Sequence, residues 1–295
     1  MTDPQPSPAY DILPRNKFFD ANRSIVEYEI RPGNTVTFLH EVDLTEVEAI
    51  RDRAAKAGRK KPSYTAFVVK AVALALRDFP YANRRLWSRR WLPLFATRLQ
   101  QFHRIDVAVA CERDAAEVST FADIIRDADR QSLDALTEWL HNLATCDATT
   151  NKQWREFSTG IRKLPHWLSK LIIRLPYLSP KMWIKWRGGA VLISSPAKYG
   201  VDVVSATWSW PLGISFGVVK PRPVVRNGEV VAAPTFILTL NFDRRVMAGA
   251  QAARFFKRML DVLDHAETEM AAYLDTSVSS HLVRTQPGEE VVSPS

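Results

Sequence analysis

The stretch TLNFDRRVMAGAQAARFF, residues 239–256, decides the fold. It begins as an apolar strand and continues as a helix, because Ala252, Phe255 and Phe256 recur at helical spacing. The turn between these two elements contains Asp243 and Arg244. The stretch looks like an active-site signature whose working residues have been replaced, and Arg244 stands at its centre.

Composition narrows the class of protein. The chain has 295 residues, 46% of them hydrophobic and 24% charged, which is ordinary for a globular domain. A net charge of +8 favours an anionic partner, such as nucleic acid, an acidic membrane surface or a phosphorylated cofactor. The two cysteines, Cys111 and Cys146, are too few for a disulfide framework or a metal knuckle. No run of about 18 apolar residues predicts a spanning helix, so we expect a cytoplasmic protein.

Periodicity predicts an α/β (α+β sandwich) fold. We expect a strand near residues 35–44, followed by a helix that stops at Gly58. Either Asp43 or Thr45 can cap the start of this helix, with Glu48 forming a capping box with Thr45. A second helix should stop before Pro80, and one helix over residues 248–274 should close the chain. Strands and helices do not alternate regularly, which argues against a Rossmann domain.

Three segments resemble one family. Residues 38–83, 189–201 and 239–263 are similar to the catalytic domain of dihydrolipoyl acyltransferases, the second component of 2-oxoacid dehydrogenase complexes. The resemblance implies a chloramphenicol acetyltransferase-like fold, with a mixed β-sheet covered by helices. We expect one domain over residues 15–275. The polar, proline-containing ends predict a disordered arm over residues 1–14 and a disordered tail over 276–295.

The most specific motif of that family is D-H-R-x-x-D-G, preceded in the chain by a strand that carries a serine or threonine. Its histidine takes the thiol proton of CoA or dihydrolipoamide, and its serine stabilises the oxyanion of the tetrahedral intermediate. The resemblance places Ser194 at the serine, and Asp243, Arg245 and Gly249 at the matching motif residues. Arg244 stands at the histidine position.

The second motif aspartate is replaced by Ala248. In the family this aspartate pairs with an arginine near the N-terminus, for which Arg15 is the natural candidate here. The alternative is that Arg15 faces solvent.

Loss of the histidine is chemically severe, because a guanidinium stays protonated and has no lone pair with which to accept a proton.

The sequence leaves two functions open. In the first, the protein is weakly active or inactive, and binds an acyl or CoA-type anionic ligand or acts as an assembly module. In the second, it is an active acyltransferase that uses Ser194 and an unconventional base. Arg244 either binds the ligand or only forms a salt bridge with a neighbouring carboxylate, such as Asp243 or one across a subunit boundary.

Residues 151–187 form a tryptophan-rich, basic insertion relative to the family. Interleaved aromatic and basic residues are typical of interfacial membrane helices, and less so, with these prolines, of single-strand nucleic-acid binders. The alternative is a set of short helices with tryptophan and leucine packed inward. The candidate membrane-surface residues are Trp154, Trp167, Lys170, Arg174, Trp183 and Trp186.

The resemblance also implies partners. We expect CoA or acyl-CoA as co-substrate, no covalently bound cofactor, and neither a lipoyl domain nor a lipoyl group on this chain. We expect a homotrimer, because the active sites of the family form between subunits. An anionic membrane surface remains a candidate partner, so the cytoplasmic protein could lie at the periphery of a membrane.

Overall fold

The computed structural model describes residues 34–87, 98–112, 120–145 and 179–274, together with residues 154–156, 159, 163–165, 168, 174, 176 and 177. The predicted N-terminal arm and the predicted C-terminal tail lie outside the described residues. Arg15, Trp167 and Lys170 also lie outside them.

The described residues contain nine strands, and seven of them form one mixed sheet in the order β1-β9-β7-β6-β4-β5, with β8 paired to the first half of β9. The strands are β1 (Thr35–Asp43), β2 (Arg84–Trp87), β3 (Arg98–Gln101), β4 (Val107–Glu112), β5 (Thr120–Ile125), β6 (Val191–Ser194), β7 (Leu212–Phe216), β8 (Lys220–Arg226) and β9 (Glu229–Asp243). The β4–β6 and β6–β7 pairs are parallel, whereas β2 and β3 form a separate antiparallel pair. The predicted mixed sheet is confirmed.

Helices accompany the sheet, as predicted. They are α1 (Thr45–Lys56), α2 (Tyr64–Asp78), α3 (Leu133–Thr145), α4 (Pro180–Arg187), α5 (Gly249–Asp264) and α6 (Ala266–Glu269). Short 3-10 turns lie at Pro80–Ala82, Ala197–Tyr199 and Ala271–Tyr273. The prediction of one closing helix is wrong, because His265 has a non-helical backbone (φ −115°, ψ 41°) that separates α5 from α6.

The two ends of α1 were predicted with mixed success. The capping box is wrong, because the residue at the N-cap is Leu44, which has no side-chain oxygen to offer. Instead the Asp43 carboxylate accepts hydrogen bonds from the backbone N–H of Thr45 at 3.0 Å and from its hydroxyl at 2.7 Å. The predicted stop at Gly58 is confirmed, since Gly58 has a φ of +69°, a conformation that favours glycine after a helix.

One face of the sheet, which we call the first face, carries the main apolar core. Side chains of β9 alternate, and Phe236, Leu238, Leu240 and Phe242 all point into this core. Helices α2 and α5 pack against it, and residues 66–76 of α2 are all buried. The strand, which repeats every two residues, and the helices, which repeat about every 3.6 residues, therefore bury their apolar side chains in the same layer.

A lysine lies inside this core. Lys70, in the middle of α2, is fully buried, and its Nζ donates to the backbone carbonyls of Ala128 and Asp129 at 3.0 Å each and to that of Gln131. The Tyr273 ring centroid lies 3.9 Å from the same nitrogen. Burial lowers the pKa of Lys70 to about 7. The lysine therefore ties α2 to the turn that precedes α3.

The opposite side, the second face, carries a smaller aromatic cluster. It contains Phe102, Trp183, Leu192 and Trp210, with Trp208 packed against them. The indole of Trp183 donates to the Gly189 carbonyl at 3.0 Å. Because this bond and the cluster hold α4 against the sheet, the end of the 151–187 segment is firmly attached to the domain.

Two of the candidate membrane-surface residues are therefore corrected. Trp183 is only 2% exposed, and Trp154 is 6% exposed with its ring centroid 5.2 Å from that of Phe121. Both indoles pack inward, so neither is available to a lipid surface, whereas Trp186 is half-buried and Arg174 is exposed. No helix within the described residues has the length and hydropathy needed to cross a membrane.

Candidate functional site

Ser194 ends β6 on the second face. Its neighbours Val191 and Ile193 belong to the core on the first face, so strand alternation turns Ser194 the other way. The adjacent Ser195 hydroxyl donates to the Phe216 carbonyl at 2.8 Å. The Ser194 side chain is half-buried and makes no hydrogen bond to another described residue, so its hydroxyl is available to a ligand.

At the turn after β9, two of the three charged motif residues pair with each other and the third stays apart. Arg245 binds Asp243 through a two-pronged ion pair, with Nη2–Oδ2 at 2.6 Å and Nε–Oδ1 at 2.9 Å. The hydrogen bond to Asp243 raises the pKa of Arg245. Arg244 is exposed, and its backbone N–H donates to the Asn34 carbonyl at 2.8 Å. Asp243 is therefore not the salt-bridge partner of Arg244, while a salt bridge to a carboxylate across a subunit boundary stays a prediction.

The start of α5 holds the other two motif positions. Ala248 is the N-cap residue and has no side-chain acceptor, although its backbone N–H donates to the Gln251 Oε1 at 3.1 Å. A Cβ added at Gly249 would meet nothing within 4 Å. Nothing in the described part of the chain therefore requires a glycine at 249 or an alanine at 248.

Strand register keeps Ser194 and Arg244 apart. Ser194 pairs with Ser215, which pairs with Thr239 of β9. Arg244 follows five residues beyond Thr239, a distance of roughly 16 Å at about 3.3 Å per residue. One chain therefore does not bring Ser194 and Arg244 together in a single reaction site.

The described histidines supply no substitute base. His40, His103, His141 and His265 are exposed, and none of the four forms a hydrogen bond with Ser194. His265 Nδ1 lies 3.1 Å from the Asp261 carbonyl oxygen. No metal-binding group of three or more His, Cys, Asp or Glu side chains occurs among the described residues.

Sequence reasoning missed a row of polar side chains beside Ser194. Ser215 and Thr239 continue the row on β7 and β9, and both are fully buried. The Thr239 hydroxyl donates to the Val204 carbonyl at 2.9 Å, whereas the Ser215 hydroxyl has no partner in the described chain. The signal was present in LGISF, residues 212–216, where small and polar residues alternate with large apolar ones.

The row adjoins a second polar group. Asn241 Oδ1 accepts hydrogen bonds from the hydroxyls of Thr37 at 2.6 Å and Ser205 at 2.8 Å, while Nδ2 finds no partner among the described residues. The indole of Trp208 lies over Gly213, where a Cβ would come within 2.1 Å of it. Gly213 is therefore the residue that lets the segment before β7 close over this face.

Comparisons with known proteins support a common origin. The family model "2-oxoacid dehydrogenases acyltransferase (catalytic domain)" matches residues 33–161 and 185–271. The acetyltransferase component of the Bacillus subtilis pyruvate dehydrogenase complex is 26% identical over 261 residues, which are 84% of this chain and 50% of that protein. The chain spans about half the length of the curated relatives it matches.

Two solved structures show the same fold. The dihydrolipoamide acetyltransferase of Azotobacter vinelandii, studied for the roles of a serine, a histidine and an asparagine in its catalytic mechanism, aligns with a TM-score of 0.66 at 19% identity. The cubic core of a pyruvate dehydrogenase complex aligns with a TM-score of 0.63 at 19% identity. Each alignment covers 91% of this chain and 100% of the other. The chain belongs to the 2-oxoacid dehydrogenase acyltransferase catalytic-domain family.

Proposed function

We propose that this family member is a weakly active or inactive acyltransferase-type protein that binds an anionic acyl or CoA-type ligand through Arg244. One observation carries the proposal. The Arg244 guanidinium is exposed and forms no ion pair with any residue in the described part of the chain, while the adjacent Asp243 carboxylate is occupied by Arg245. The centre of the motif therefore presents a cation that has no counter-ion among the described residues.

The chemistry of the motif explains why catalysis should be weak. Arg244 occupies the position of the family histidine, and a guanidinium cannot accept a thiol proton at neutral pH. Loss of a general base lowers a rate by about 10²–10⁴. Ser194 still offers a hydroxyl for an oxyanion, which would leave a residual rate.

The same substitution suits the capture of an anion. The guanidinium fork matches a phosphate or carboxylate with two parallel hydrogen bonds. CoA carries phosphate groups, and the +8 charge of the chain favours the approach of anions. We therefore propose CoA or an acyl-CoA as the ligand, without a covalently attached cofactor.

The distance between Ser194 and Arg244 within one chain bears on the oligomeric state. A site that uses both Ser194 and Arg244 needs two copies of the chain, since register separates them within one copy. Leu39, level with Thr239 on the same face, is 54% exposed, and Val203 is 42% exposed. We propose that these apolar side chains pack against a second copy in a homotrimer. Light scattering tests this, and a monomer at micromolar concentration would contradict the shared site.

Acetyl transfer from acetyl-CoA to dihydrolipoamide tests the missing base. The double variant Arg244→His, Ala248→Asp restores both motif residues, and we expect its kcat/KM to exceed that of the native protein by about tenfold or more. Arg244→Ala with Ala248→Asp is the control that lacks the imidazole. Native activity equal to or above that of the double variant would instead support an active enzyme with an unconventional base.

Calorimetric titration with CoA tests the ligand separately. We expect the native protein to bind CoA and Arg244→Ala to lose at least about tenfold in affinity, because a charge-assisted bidentate pair is removed. Arg254→Ala is the matched control, since Arg254 is an exposed arginine on α5. The absence of heat with the native protein at millimolar CoA would remove the binding proposal.

A further inference from the structure

We propose that Arg85 anchors a second anion-binding site, for a phosphate-bearing group, where the β2–β3 hairpin meets α4. Arg85 is only 3% exposed. Its guanidinium carbon lies 4.0 Å from the centroid of the Trp183 ring, and its Nε donates to the Gln100 Oε1 at 3.0 Å. Arg85 lies on the hairpin rather than in the motif turn, so this site is distinct from the one assigned to Arg244.

The Arg85 charge has no carboxylate partner in the described part of the chain. Among the described residues it forms no ion pair, and β2, β3 and α4 contain no aspartate or glutamate. Asp106, the residue just before β4, forms a salt bridge with Arg126 at 2.6 Å. Burial lowers the pKa of Arg85 to about 10, although the electrostatic interaction with Tyr177 acts to raise it. The neutral amide of Gln100 and the indole of Trp183 contact the guanidinium without neutralising it.

A buried cation without a counter-ion is energetically unfavourable, and proteins bury charges together with a partner of opposite sign. An anionic ligand is such a partner. The planar fork of arginine binds phosphate and carboxylate oxygens bidentately, and stacking on an aromatic ring holds the fork in a fixed plane. The contacts of Arg85 with Trp183 and Gln100 therefore orient a guanidinium whose other nitrogens remain for a ligand.

The positive charge of α4, the helix that carries Trp183, favours phosphate over a single carboxylate. Lys181 and Lys185 on α4 are exposed and form no ion pair with a described residue. A phosphate monoester carries a charge of about −1.5 to −2 and three acceptor oxygens, so it suits the guanidinium fork of Arg85 beside a basic helix better than a carboxylate does.

Two sources supply this chemistry, a soluble phosphate ester and the headgroup of an anionic phospholipid. The buried positions of Trp154 and Trp183 remove two candidate lipid contacts, but the exposed lysines of α4 remain. The shared feature is the phosphate on Arg85, and an experiment with two arms separates the sources.

The first arm measures the melting temperature with inorganic phosphate against sodium chloride of equal ionic strength. We expect phosphate at about ten times its Kd to raise the Tm of the native protein by about 3 °C, and to leave Arg85→Gln unchanged. Arg84→Gln is the matched control, because Arg84 Nε donates to the Gln101 Oε1 at 2.8 Å just as Arg85 does to Gln100, but Arg84 is not buried.

The second arm is co-sedimentation with phosphatidylcholine vesicles that contain or lack phosphatidylglycerol. Arg85-dependent sedimentation with the anionic vesicles, displaced by free phosphate, identifies a lipid headgroup. A phosphate-dependent Tm without sedimentation identifies a soluble ester. Either result supports the site.

The proposal is overturned if phosphate gives the native protein no rise over chloride, or if it stabilises Arg85→Gln as much as the native protein. Without phosphate, we expect Arg85→Gln to melt at or above the native temperature, since an unpaired buried charge is removed. A lower melting temperature would point to a purely structural arginine. Should Arg85→Gln not fold, Arg85→Lys keeps the charge without the fork, and its phosphate affinity should fall about tenfold. An unchanged affinity in that variant would also overturn the site.

Discussion

The two faces of the sheet are built from the same strands and differ in almost every other respect. On the first face, β9 contributes Phe236, Leu238 and Leu240 to an apolar core sealed by long helices. On the second face, Thr239 and Asn241 of the same strand lie beneath tryptophans and irregular segments. The first face follows the rule that buried groups are apolar or fully hydrogen-bonded. The second face departs from that rule at two places. One lies beside Ser194, whose hydroxyl we propose to stabilise an oxyanion, and the other is Arg85, which we propose as an anion-binding residue.

The largest effect should come from the first face. Phe255 on α5 is fully buried, and Phe255→Ala removes a large side chain from a core whose neighbours cannot fully collapse. We expect a loss of about 3–5 kcal/mol in the free energy of unfolding, measured in urea. Arg254→Ala, on the exposed side of the same helix, should change it by less than about 0.5 kcal/mol. Similar values for both variants would contradict the assignment of the core to this face.

Lys70→Met should have the next largest effect. Methionine fills a similar volume but leaves the carbonyls of Ala128, Asp129 and Gln131 without their donor, so we expect a loss of about 2–3 kcal/mol near pH 7. Urea unfolding measures it, with exposed Lys56→Met as the control.

The stability difference between the native protein and Lys70→Met should depend on pH. The pKa of Lys70 is about 7 in the folded protein and near 10.5 ordinarily, so the unfolded chain binds more protons between these values. Native stability should therefore gain from this lysine as the pH rises from about 7 towards 10. The variant lacks that gain, so the difference in stability between the two proteins should widen. A difference that narrows over this range would show that Lys70 stays charged in the folded state.

The smallest effects, and the clearest contrast, belong to two neighbouring hydroxyls of the second face. Thr239→Val removes a donor that serves the Val204 carbonyl, and we expect a loss of about 1 kcal/mol. Ser215→Ala removes a buried hydroxyl that has no partner in the described chain, and we expect no loss or a gain of up to about 1 kcal/mol. Urea unfolding of both variants measures these two changes in the free energy of unfolding. A loss of stability in Ser215→Ala equal to that in Thr239→Val would show that the Ser215 hydroxyl is bonded after all, for example to ordered water.

Local patterns were sufficient for much of the fold. The stop of α2 before Pro80, the glycine after α1 and the alternation of β9 each follow from residues that are close in sequence. The break at His265 was missed, because an apolar periodicity over residues 248–274 does not reveal a local change in backbone conformation. The capping box predicted at Thr45 is wrong, because Leu44 is the N-cap residue and the Thr45 N–H donates to the Asp43 carboxylate.

For the site, the sequence alone determined which chemical groups are present: a guanidinium at position 244, a hydroxyl at 194 and no carboxylate at 248. Tertiary structure decided their partners, since pairing Asp243 with Arg245 and separating Ser194 from Arg244 depend on turn geometry and strand register. It also decided that Arg85 is buried on Trp183, from an insertion roughly a hundred residues away in the chain. Charge and donor capacity are properties of a residue type, whereas burial and pairing arise only when distant segments pack together.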